Sequence, residues 1–263
     1  MVREPSAVSA PSTLSDAEVE RYSRQLLVPG FSERQQLRLG ESRVVIIGCG
    51  GLGGPAGLYL AGAGVGRIDL VDPDLVALDN LHRQVAYRTA DVGRPKVVAL
   101  AESLVALNPT VRVRAFQRAL GDASFDEILG DASVIVECSD SPGLKFAVND
   151  WAVALGIPLV VGGAIGWRGQ VTTVLPGGGC FRCLFRGPSE EMERSCRSSG
   201  VIGPLVGVIG ALQAQEVVLV LGGGGGATSR LTDFDAQSGR WRTLTVATTS
   251  ECSVHRLETA ARP

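Results

Sequence analysis

Residues 44–53 read VVIIGCGGLG, and they carry the most specific chemistry in the chain. Four apolar residues form a short buried strand. Gly48, Gly50 and Gly53 then set a tight turn into a helix that has Pro55 in its first turn. Glycine at these places, with Gly51 among them, lets the backbone approach a phosphate closely. Free amides at the helix N-terminus favour an anion. A second strand, Ile68 to Val71, runs into Asp72, about 20 residues past the turn, where a carboxylate holds a ribose hydroxyl. This pattern predicts an adenine-nucleotide site, and it suits NAD on a dehydrogenase as well as ATP.

Two cations, one carboxamide and one acid fall near the expected strand ends. Asn80 and Arg83 lie on an irregular segment, Lys96 on the helix after it, and Asp140 beyond a buried strand. A phosphate pocket with two cations and a lone carboxylate suits ATP with magnesium. Taken singly, Arg83 and Lys96 also read as surface cations, and Asp140 as a turn cap.

Cys180 and Cys183 stand two residues apart, as do Cys252 and His255 far downstream. Two such turns close a four-ligand site, and three thiolates with one imidazole fit a structural zinc with no position left for water. The alternatives are a redox pair at Cys180 and Cys183, or four unrelated residues. Cys49 and Cys138 read as packing residues.

The elements that must place these groups follow from periodicity. A capping box at Ser15–Glu18 opens a helix. Residues 95–107 and 144–155 read as helices; 111–116, 133–138, 158–163 and 170–175 as strands; and 231–246 as a hairpin turning at Gln237-Ser238-Gly239. Strands separated by helices predict an α/β fold: a Rossmann-like, mostly parallel sheet covered by helices, with a mixed C-terminal strand region and a zinc knot. Residues 1–14 are expected to be disordered. Residues 15–263 form one domain, with a nucleotide-binding half at about 41–165, a crossover loop at 185–203 and a zinc-tied part at 204–263. The apolar run 201–221 holds Pro204, Gln213, Gln215 and Glu216, which are costly in lipid, so it reads as a core helix and not a membrane span. The formal net charge of −2 argues against nucleic acid as the main partner. No secretory signal is visible, so the six cysteines read as metal-binding or catalytic thiols in the cytoplasm.

The runs RYSRQ (21–25), GCGGLG (48–53), LHRQ (81–84), RPK (94–96), CSD (138–140), CFRC (180–183) and CRSSGVIGP (196–204) occur in this order. Together they resemble the adenylating ThiF/MoeB family, relatives of ubiquitin-activating enzymes, over nearly the whole chain from Ser15 to His255. The resemblance implies an adenylyltransferase that joins AMP to the C-terminal Gly-Gly carboxylate of a small ubiquitin-like sulfur carrier protein. A thiocarboxylate would follow, for thiamine, molybdopterin or secondary-metabolite synthesis. It implies that the glycines cradle ATP, Asp72 binds the ribose, and Asn80, Arg83 and Lys96 hold the phosphates. Arg24 would reach into the partner subunit of a homodimer, Asp140 would position Mg2+, and Cys180, Cys183 and Cys252 would bind Zn2+. Cys196, flanked by Arg194 and Arg197, is the candidate thiol for sulfur transfer, with a bystander role as its alternative. The CRSSGVIGP loop is nearer the ThiF type. A sulfur donor such as a cysteine desulfurase or rhodanese completes the expected partners.

Two departures stand out. His255 replaces the usual fourth zinc cysteine, and Ser141 replaces the asparagine usual after the aspartate. A related alternative is an enzyme that adenylates a peptide C-terminus in natural-product biosynthesis.

Overall fold

The computed structural model describes residues 13–190, 199–223 and 228–255. Eight strands form one sheet in the order β3-β2-β1-β4-β5-β6-β7-β8. They are β1 (Arg43–Ile47), β2 (Arg67–Val71), β3 (Arg112–Phe116), β4 (Val134–Glu137), β5 (Leu159–Ile165), β6 (Arg168–Val174), β7 (Arg230–Asp235) and β8 (Arg240–Thr245). The first five in that spatial order pair parallel. The last three are added antiparallel. The parallel-then-mixed sheet expected from the sequence is therefore present.

Eight described helices surround it: α1 (Asp16–Leu26), α2 (Glu33–Glu41), α3 (Gly53–Ala63), α4 (Lys96–Leu107), α5 (Asp122–Leu129), α6 (Pro142–Leu155), α7 (Phe181–Phe185) and α8 (Gly203–Gly222). The Ser15–Glu18 capping box forms as read and starts α1. The α2, α5 and α7 helices were not foreseen. Cys196 and the expected disordered residues 1–12 lie outside the described residues, as does part of the crossover loop.

Strand β1 is wholly buried because helices cover both faces of the parallel sheet. One core cluster joins β1, β2 and β4 to α3, α4 and α8. A second, on the other face, joins them to α5 and α6. Each fully buried Leu, Ile or Phe in these clusters, such as Leu60, Leu104 and Phe146, contributes roughly 1.5–3 kcal/mol.

Helix α8 is long and apolar enough to cross a membrane by length and composition. Two of its polar residues, Gln213 and Glu216, are nevertheless built into the protein core, while Gln215 is exposed. Gln213 Nε2 donates to the Glu137 carbonyl at 2.9 Å. Glu216 pairs with Arg230 at 2.6 Å and accepts from the Thr173 hydroxyl. The core-helix reading of this run therefore stands.

Candidate active site

A cleft of about 970 Å³ opens at the carboxyl ends of the parallel strands. It lies where β1 has β2 on one side and β4 on the other. At that point the crossovers leave the sheet in opposite directions, which is where open α/β sheets bind ligands.

The glycine turn forms one wall. Gly48 has φ +87°, and a Cβ there would meet Ser139 N at 2.8 Å. At Gly53 a Cβ would lie 1.9 Å from the Gly48 carbonyl oxygen. A side chain at either place would break the approach of β1 to the β4 turn or to the start of α3. The turn is also braced from behind. Cys49 donates its N–H to Asp72 Oδ2 at 2.7 Å, and its carbonyl accepts from the Tyr87 hydroxyl. Asp72 is 5% exposed, and its Oδ1 accepts the Asp74 N–H at 2.8 Å. Burial raises its pKa, while those two amides and the Lys96 charge pull it back down. Asp72 thus braces the turn as well as facing the cleft.

The cations adjoin the turn: a Cβ on Gly51 would lie 3.3 Å from the Arg83 carbonyl oxygen, and the Tyr87 hydroxyl bridges the Cys49 and Lys96 carbonyls. Lys96 opens α4 and is 6% exposed, with Nζ on Asp74 Oδ2 at 2.8 Å. Arg83 donates to the Asp79 carbonyl at 3.0 Å, and Asn80 donates to the Asp79 carboxylate. All three line the cleft, as does exposed Asp140. Arg24 is exposed on α1 and does not line the cleft of its own chain.

Ser141 has a local use. Its hydroxyl accepts the Leu144 N–H at 3.3 Å and caps α6, so Asp140 itself is left out of the capping and faces the cleft. The sequence did not single out Asp74, Glu137 or Lys145. Only the acid closing the apolar strand VIVE hinted at them. Cys49 and Cys138 are buried, and burial pushes both thiols well up, as suits packing residues.

The second cluster lies apart from the cleft. Cys180, Cys183, Cys252 and His255 bring one donor atom each within 4.8 Å of one another. Cys180 Sγ is 3.8 Å from Cys183 Sγ and 3.6 Å from Cys252 Sγ. A tetrahedral ion with about 2.3 Å bonds to sulfur puts its sulfurs about 3.8 Å apart, so the donors fit such a metal. Burial pushes the Cys180 thiol up to about 12, while at Cys183 burial is outweighed by hydrogen bonds that hold the thiol below its ordinary value, and a bound cation would favour the thiolate at both. Asn149 Oδ1 accepts the Phe181 N–H at 2.8 Å and fastens α7 to α6.

A nucleotide-shaped glycine turn in a cation-lined cleft, with a separate Cys/His cluster fit for a metal, defines a class of adenylating Rossmann-like proteins. Residues 22–254 match the ThiF family, and the chain belongs to it. It is 41% identical over 243 residues to the sulfur carrier protein ThiS adenylyltransferase of Escherichia coli K12, covering 92% of this chain and 96% of that one. It is 42% identical over 245 residues to the adenylyltransferase and sulfurtransferase MOCS3 of Arabidopsis thaliana, and spans 53% of that protein's length. Among solved structures it resembles PaaA, at TM-score 0.77 and 26% identity, covering 90% of this chain and 85% of that one. It also resembles the microcin C7 biosynthetic enzyme MccB in complex with N-formylated MccA. That likeness, at TM-score 0.80 and 24% identity over 93% of this chain and 76% of that one, shows the fold alone. The named relatives are adenylyltransferases, which leaves the dehydrogenase alternative without support.

Proposed function

We propose that this chain adenylates the C-terminal Gly-Gly carboxylate of a small ubiquitin-like sulfur carrier protein, as a step toward its thiocarboxylate. The observation that carries the reading is the cleft, which gathers a glycine turn, Lys96, Arg83 and Asp140 at the sheet's switch point. The near full-length similarity to a sulfur carrier adenylyltransferase supports the choice of substrate.

Two anions must meet in the reaction, the tail carboxylate and the α-phosphate of ATP. In this reading Gly48, Gly50, Gly51 and Gly53 let the backbone reach the phosphates, and Asp72 accepts from the ribose hydroxyls. Asn80, Arg83 and Lys96 offset charge on the triphosphate, with Arg24 contributed by the second subunit of a homodimer. Asp140 holds Mg2+, which when bound neutralises further phosphate charge. The carboxylate attacks the α-phosphorus, pyrophosphate leaves, and an acyl adenylate remains. Fixed positive charge at the phosphates and a held carboxylate supply the rate. The Cys196 thiolate then attacks the activated carbonyl and AMP leaves. Hydrosulfide, released from a desulfurase or rhodanese persulfide by a thiol reductant, attacks the resulting thioester, freeing the Cys196 thiol and leaving the thiocarboxylate. Zn2+ on Cys180, Cys183, Cys252 and His255 ties the C-terminal segment to α7. Ligands that must remain thiolates suit a reducing cytoplasm.

Pyrophosphate exchange tests the reading. With Mg-ATP and a Gly-Gly-ended carrier encoded beside this chain, the wild type should exchange label, and Asp140→Ala should lose about a hundredfold or more. Cys196→Ser should keep exchange and lose thiocarboxylate formation. Absence of exchange with every such carrier, but exchange with a short peptide, would replace the carrier by a peptide substrate.

A further inference from the structure

Glu137 and Lys145 form a buried ion pair at the cleft that the proposed chemistry leaves unused. Glu137 ends β4 and is wholly buried. One of its carboxylate oxygens accepts from Lys145 Nζ. The other accepts the Ser139 N–H at 3.0 Å and the Ser139 hydroxyl. Lys145 Nζ also donates to the Gly162 carbonyl at 2.8 Å. Lys145 is 8% exposed, and it lines the cleft.

These contacts join two walls. Ser139 immediately precedes Asp140, and Ser139 N lies against Gly48 of the glycine turn. Gly162 lies on β5, whose following residues Gly163, Ala164 and Ile165 line the other side of the cleft. A carboxylate that binds both polar groups of Ser139 leaves that turn little freedom. A buried pair of this kind gains little stability over well-packed apolar groups, because desolvation offsets most of its attraction. Its value lies in where it holds the chain.

We propose that Lys145 is a positioning residue: by gripping Glu137 and the Gly162 carbonyl together, it fixes the Ser139–Asp140 turn and thereby sets the affinity of Asp140 for a divalent cation. This rests on reading Asp140 as the cation's ligand. Partners that orient a metal ligand change metal affinity by about 10–100-fold when removed.

The test is Mn2+ binding, followed by electron paramagnetic resonance with a non-hydrolysable ATP analogue present. Analogue binding in EDTA and the melting temperature are measured beside it. Lys145→Met should weaken Mn2+ about 10–100-fold. Cation-free analogue binding should stay within about twofold, because Lys145 is engaged with protein groups and not with phosphate. Lys145→Arg, which keeps the charge and the donors, should recover most of the loss. Ser139→Ala should give a smaller loss in the same direction.

A folded Lys145→Met with unchanged Mn2+ affinity overturns the proposal. So does an equal loss of analogue binding in EDTA, since Lys145 would then be a direct phosphate cation. If Lys145→Met does not fold, Ser139→Ala decides, and unchanged Mn2+ affinity in it overturns the proposal. Asp140→Ala with full Mn2+ affinity would instead remove Asp140 as the ligand, a failure distinct from that of Lys145.

Discussion

The cleft and the Cys/His cluster, a knot fit for a metal, are both assembled from segments far apart in sequence, yet they are built in opposite ways. The knot is closed. Four donors face one point, three of them thiols, and α7 begins inside it. The cleft is open, and its buried cations already have protein partners, Lys96 on Asp74 and Lys145 on Glu137. With a metal bound, a closed site of this kind would store its value in the fold, because metal-binding free energy becomes folding free energy. An open site stores its value in placed charge that a ligand can use with little rearrangement. Substitutions at the knot should therefore move stability first, and those at the cleft should move binding first.

The largest effect tests the knot. Cys252→Ser, or prolonged chelation, removes part of an apparent metal-binding free energy of about 10–16 kcal/mol. The melting temperature should fall by about ten degrees or more, with bound metal lost from elemental analysis. Full stability with no metal bound would erase the contrast. Next comes Gly53→Ala, whose Cβ would press on the Gly48 carbonyl. A clash of this kind costs about 1–3 kcal/mol. It should appear as a tenfold to hundredfold loss of ATP affinity by calorimetry together with a lower melting temperature. Unchanged ATP affinity would show that the turn does not shape the phosphate site. The smallest effect should come from Asp74→Asn, which removes an exposed anion beside Lys96. Pairs of this exposure are worth about 0.2–1 kcal/mol, so ATP should bind a few-fold more tightly with stability nearly unchanged. Weaker ATP binding would mean that Asp74 aims Lys96 more than it neutralises it.

The contrast also explains what could be read from the sequence. Glycine turn, buried strands and hairpin are local patterns, so GCGGLG, VIVE and the turn at Gln237-Ser238-Gly239 mark themselves. The knot was legible by residue type, since soft donors at a two-residue spacing have few other uses. The α2 helix was missed because ERQQLRLGE is mostly polar and has few apolar positions to show a period. The α5 helix was missed because it is short. The counter-ions Asp74 and Glu137 were illegible for a different reason. A carboxylate becomes a partner for Lys96 or Lys145 only once β2, β4 and the helices beside them are stacked, and no spacing along the chain records that. Ser141 looked like a defect in the motif. Its hydroxyl turns out to be spent on the first turn of α6.

Asp72 carries a consequence of its own. The same carboxylate that faces the cleft ties down the amide of Cys49, in the middle of the glycine turn. On the proposed ribose role of Asp72, choice of sugar and shape of the phosphate cradle are governed by one side chain. Evolution or engineering cannot relax the first without deforming the second, and a route to a different nucleotide must begin by finding Cys49 another anchor.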